Sequence, residues 1–174
     1  MFALTYGQHL FSWESSFFDS YLSRRISITT YIRSKYIFFA ITSFISFLLV
    51  LPYALISYKI ALINLALLFY NIGMSSVILM FCCTYNTSRI DLGKSQFMNY
   101  QGNGIQQYLL IIPLFGFPAL VYLVFQFLGM PQYSCLALGI IGITAIVFNK
   151  YLLHFVSSQF TNRKYKMSSG FRQN

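Results

Sequence analysis

Four uncharged apolar stretches dominate the chain, running from about Tyr36 to Ser57, Ile60 to Tyr85, Tyr108 to Leu128 and Tyr133 to Phe148. The first three exceed the roughly 20 residues needed to cross a hydrocarbon core of about 30 Å. The fourth reaches that length only by running on through Asn149 and Lys150 to Phe155, with the Lys150 ammonium snorkelling to the headgroups. The pattern predicts an all-α, polytopic membrane bundle of four transmembrane helices over residues 36–156, with limits near 36–57, 60–85, 108–128 and 133–155. Spans one and two are joined tightly, as are spans three and four, which predicts two antiparallel helical hairpins.

Details within the stretches fit lipid. Pro52, Pro113 and Pro118 fall inside spans, where they are expected to kink a helix without ending it, because neighbouring groups satisfy the freed carbonyls. Tyr53, Tyr58, Tyr108, Tyr133 and Tyr151 lie near span ends, where an aromatic belt places them. Gly139 and Gly142, with Ala137 and Ala145, give span four a face that a neighbouring helix can approach closely.

Residues 1–35 form a separate cytoplasmic or interfacial region. Ser16 to Asp19 matches a capping pattern, and Phe17, Phe18, Tyr21 and Leu22 recur at helical spacing ahead of Arg24 and Arg25. This reads as a short amphipathic helix in the membrane interface, either an elbow helix or a plain juxtamembrane anchor. Ser27-Ile-Thr-Thr30 then caps a new helix that passes through Tyr31, Arg33 and Lys35 into span one. Residues 1–15 lack the basic start and small-residue cleavage site of a signal peptide, so none is expected.

Composition narrows the class. Only 9% of residues are charged against 57% hydrophobic, too few to cover the surface of a water-soluble domain of 174 residues. The net charge of +9 would suit nucleic acid, but its distribution follows membrane orientation. Arg24, Arg25, Arg33 and Lys35 precede span one, Arg89 and Lys94 lie between spans two and three, and Lys150, Arg163, Lys164, Lys166 and Arg172 follow span four. Eleven bases thus fall on alternate sides from the single Lys59. Both termini, including the basic tail 157–174, are therefore expected in the cytoplasm, and nucleic acid is not expected as a partner.

Little in the spans carries chemistry. Asp, Glu, Lys and Arg are missing from span interiors, so the proton or ion relay of a pump is not expected. Asn64 and Asn71 stand seven apart on span two, with Ser75 four further on, a polar stripe that either lines a substrate path or bonds a neighbouring helix. His154, beside Asn149 and Lys150, suits an interfacial role. Ser88 to Ser95 approaches the phosphate-binding pattern GxxxxGK[ST], but Ser88 stands where glycine is needed and a membrane span precedes it instead of a strand. The glycine-rich run Asn99 to Gly104 reads as a surface turn and a possible docking point for a cytosolic protein. Cys82, Cys83 and Cys135 have neither disulfide nor zinc spacing. With three acidic residues in all, general acid–base catalysis has few candidates, so no catalytic, cofactor-binding or metal residues are assigned.

Several segments carry a resemblance: Tyr6 to Asp19, Ile32-Arg-Ser-Lys-Tyr36, Asn99-Tyr-Gln-Gly102 and Arg163 to Arg172. Together they resemble a family of bacterial membrane proteins of ABC-2-type permease character, catalogued as a domain of unknown function. The resemblance implies the membrane-spanning component of an ATP-driven exporter in the bacterial inner membrane. ATP would be held by a separate cytosolic ATP-binding-cassette subunit. It also implies longer relatives, to whose C-terminal portion this chain corresponds, and association as a homodimer or with further transmembrane segments. On that reading Phe17, Phe18, Tyr21, Arg24 and Arg25 form the elbow, and Arg89, Asp91 and Lys94 the coupling contact to the ATPase. The competing expectation is a non-transporting scaffold or regulatory subunit. An intramembrane enzyme acting on lipid through His154 or Asn64 is the third.

Overall fold

The computed structural model describes Leu10, Phe11, Glu14 and residues 27–55, 57–86 and 105–173, the last stretch with its side chains from 112 to 171. Among the described residues the structure is all-helical, with no strand. Helix α1, Ile28–Val50, starts where Ser27 accepts a hydrogen bond from the Thr30 amide at 3.2 Å, the expected N-cap. It runs unbroken through 35 and 36, so residues 28–35 and the first span share one helix. At Val50 it tightens into a 3₁₀ turn, Leu51–Leu55, that contains Pro52. Proline has no amide proton to donate to the preceding α turn, so the regular helix stops ahead of it instead of kinking around it.

Helix α2, Tyr58–Cys83, is capped by Ser57 and interrupted by one π-helical turn at Asn71–Ser75. Helix α3, Ile105–Phe127, holds Pro113 and Pro118 within one helix. It ends in a Schellman arrangement: the Met130 amide donates to the Phe125 carbonyl at 2.9 Å and the Gly129 amide to Gln126 at 3.0 Å. Gly129 takes φ +73°, which a side chain would oppose, and Pro131 then starts a new turn. Helix α4, Ser134–Val147, follows.

The fourth apolar stretch departs from expectation. The sequence predicts a span that continues through Asn149 and Lys150 to Phe155, but Phe148 leaves the α region and the chain turns by 73° into α5, Asn149–Gln173. Composition gives the reason. The unbroken apolar run ends at Phe148, and Asn149, Lys150 and His154 carry groups whose burial in hydrocarbon costs several kcal/mol, on the order of 3 for a lysine. The tail from 157 is part of this helix.

Two helices, over Ile28–Leu55 and Tyr58–Cys83, are long and apolar enough to cross a membrane, or three if α4 and α5 count as one bent span. Ile112–Phe127 is apolar but shorter. This is a membrane protein by the length and apolarity of its helices.

Packing centres on α2. Helix α4 lies against it through small residues: Gly139 meets Ala66, Gly142 meets the backbone of Phe69 and Tyr70, and Ala145 faces Gly73. The numbers rise together, so α2 and α4 run parallel. At the end of α2 near Cys83 a second core forms with the start of α1 and with α5, burying Phe11, Ile32, Met80, Val156, Phe160 and Met167. Phe11, Tyr31 and Phe160 cluster there with ring centroids 5.0–6.1 Å apart. Glu14 ties this core together, accepting from the Tyr31 hydroxyl at 2.6 Å and pairing with Lys35. Arg163 closes it from α5, donating to the Thr84 carbonyl at 3.2 Å while its guanidinium lies 3.9 Å from the centre of the Tyr85 ring.

Candidate functional site

Helices α1 and α3 flank α2 and leave a groove of about 400 Å³ with α2 as its floor. The polar lining comes from Thr42, Ser43 and Ser46 on α1 and from Asn71, Ser75 and Ser76 on α2, opposite Leu114, Phe115 and Pro118 of α3. Its depth is informative. The midpoint of Ile28–Leu55 falls between Ile41 and Thr42, that of Tyr58–Cys83 between Tyr70 and Asn71, and that of Ile105–Phe127 at Gly116. The groove therefore sits halfway along all three helices.

The π turn shapes the groove. Asn71 opens the turn and Ser75 ends it, while Gly73 between them faces α4. One wide turn thus lets the α4 backbone approach on one side and presents an amide and a hydroxyl on the other, a use to which π turns are often put. The hydroxyls behave as hydroxyls in lipid must. Thr42 donates to the Phe38 carbonyl at 2.7 Å, Ser46 to Thr42 at 2.9 Å and Ser76 to Ile72 at 2.6 Å. Their donors are spent on the helices, and their lone pairs stay available to accept. Tyr70, 2% exposed, stacks on Phe117 at 6.3 Å and lines the groove; its buried hydroxyl has the Ser75 side chain as its polar neighbour, without a hydrogen bond of good geometry among the described residues. The described lining carries no charged side chain. Such a surface can bind and orient a neutral, hydrogen-bonding molecule.

Of the residues singled out in the sequence, Asn71 and Ser75 come together here. Asn64 does not line the groove; it lies roughly 10 Å away along α2, at 1.5 Å per residue, and its Nδ2 is buried without a hydrogen bond among the described residues. His154 is exposed on α5. The elbow residues Phe17, Phe18, Tyr21, Arg24 and Arg25 lie outside the described residues, as do Arg89, Asp91 and Lys94 of the coupling stretch. The sequence reading missed Thr42, Ser43, Ser46 and Tyr70. The signal was present for the first three, since Thr42 and Ser46 are one turn apart in an otherwise apolar run.

The model of a family of unknown function, DUF5687, matches residues 1–174. The chain belongs to that family. No curated protein and no solved structure matches it.

Proposed function

We propose that this chain is the membrane-spanning component, or part of one, of an ABC-type exporter driven by a separate cytosolic ATPase. One observation carries the reading: a polar groove without charge, placed at the middle of three apolar helices. Transport substrates are commonly bound near the bilayer midplane, and a chain whose spans hold no ionisable relay needs its energy from elsewhere. In this reading the four apolar stretches form two hairpins in a bacterial inner membrane with both termini cytoplasmic. Phe17, Phe18, Tyr21, Arg24 and Arg25 form the elbow, and Arg89, Asp91 and Lys94 meet the ATPase. ATP binds on that partner and not on this chain, which works as a homodimer or with further transmembrane segments.

A scaffold or regulatory role is the second reading, and it is favoured by α1. The most apolar window of Ile28–Leu55 is only 6% buried, leaving a long face for lipid or for partner helices. Affinity purification from detergent-solubilised native membranes separates the two. Recovery of an ATP-binding-cassette subunit, lost in the R89E/K94E variant, supports the exporter. Recovery of other membrane proteins alone, with no such subunit, supports the scaffold.

A further inference from the structure

We propose that α5 lies along the cytoplasmic membrane surface and binds an anionic leaflet through the face that points away from the protein core. The buried side of α5 is set by Val156, Phe160, Met167 and Phe171, which pack into the second core. At 3.6 residues per turn the opposite side carries Tyr151, Phe155, Ser158, Asn162 and Tyr165. The two tyrosine rings there are 76% and 71% exposed; Phe155, 53% exposed, stands at the edge of this side and stacks one face of its ring on Phe81 of α2, with centroids 5.5 Å apart. Two tyrosines and a phenylalanine among short polar residues suit headgroup depth: each ring has an apolar body, and each tyrosine a polar tip for the water side.

Continuity with α4 identifies lipid as what covers this face. Leu136, Ile140, Ile143 and Val147 are exposed at helical spacing along α4, an apolar stripe of the kind that faces hydrocarbon in a membrane. Exposed Phe148, Tyr151 and Phe155 extend that stripe without a break across the 73° bend. With α4 taken as the membrane-embedded member of the pair, a turn of 73° lays α5 across the membrane surface.

Charge selects the lipid. The α5 sequence holds no Asp or Glu, and it carries Lys150, Arg163, Lys164, Lys166 and Arg172. Arg163 is engaged with Thr84 and Tyr85. Lys150 and Lys166 are exposed on either side of the aromatic face, with Lys164 half-buried beyond it. Lysine stems can lie along such a face while the ammonium groups reach phosphates, each contributing about fivefold in binding to an anionic surface.

The test uses the full chain, with Cys82, Cys83 and Cys135 replaced by alanine, reconstituted in phosphatidylcholine vesicles with and without phosphatidylglycerol. Spin labels at Y151C, F155C and Y165C report depth by collision with oxygen against a water-soluble nickel chelate. The three sites are independent, so a variant that no longer elutes as a single species is replaced by another. All three labels are expected at headgroup depth or below, within about 5–10 Å of the acyl boundary. The K150Q/K164Q/K166Q variant is expected to retain severalfold less phosphatidylglycerol on detergent extraction. Labels that read as fully aqueous in both vesicles overturn the proposal and assign the face to a cytosolic protein. Unchanged phosphatidylglycerol retention in the triple variant overturns the anionic preference.

Discussion

Gly73 and Gly142 meet backbone to backbone: a Cβ built on Gly73 would collide with the Gly142 carbonyl, and one on Gly142 with the Phe69 carbonyl and the Tyr70 amide. This contact holds α4 against the π turn of α2, whose far side forms the groove. Small residues at such a crossing are how helices associate in lipid, where hydrocarbon offers no hydrophobic drive.

Gly73→Ala and Gly142→Ala are therefore expected to destabilise the protein, each by about 1–3 kcal/mol as overpacking against backbone. Gly116→Ala is the control, since nothing lies within 4 Å of the added carbon. Thermal denaturation in detergent, followed by size-exclusion chromatography, should show a lowered midpoint for the first two variants and none for the third. An unchanged midpoint for G73A and G142A together would contradict the crossing.

Arg163 bridges α5 to the end of α2, and the bridge needs a planar guanidinium. Lysine cannot stack on Tyr85 while donating to the Thr84 carbonyl in the same geometry. Arg163→Lys should cost about 1 kcal/mol, the range for a cation over a partly exposed ring. Tyr85→Leu should cost little more once Arg163 has been replaced. Additive losses in a double-mutant cycle would show that the two side chains act independently.

Much of this architecture was legible in sequence because hydrocarbon leaves few alternatives. Long uncharged runs became helices, Ser27 capped α1, and Gly139 with Gly142 packed where their small size suggested. The bend at Phe148 was missed because an apolar count treats Lys150 as something that can snorkel, whereas direction is decided by where polar groups leave lipid. The groove was only partly legible. Asn71 and Ser75 were placed by helical spacing, but their partners Thr42, Ser43 and Ser46 lie on another helix, and no spacing rule links two helices. The π turn was not legible either; it lies where Gly73 meets Gly142, a contact between residues some seventy positions apart in sequence.

Orientation gives a further expectation. A cysteine replacing Ser57, beside the lone outward Lys59, should react with a membrane-impermeant maleimide added outside intact cells. A cysteine replacing Ser169, exposed on α5, should react only after the membrane is permeabilised. The native cysteines are first replaced in both cases. Reversed labelling would place the basic end outside and remove the site proposed for a cytosolic ATPase.

The central claim is that the groove at the middle of α1, α2 and α3 is a polar path inside the membrane. Thiol reagents report this directly, because they attack the thiolate, which forms only where water reaches. On a cysteine-replaced background, single cysteines at Ser43, Asn71 and Ile140 are treated in native membranes with a small permeant methanethiosulfonate. S43C and N71C should react much faster than I140C, whose side chain lies 62% exposed on the outer face of α4. If S43C and N71C react no faster than I140C, the groove is filled by lipid or by packed helices, and the transport reading fails.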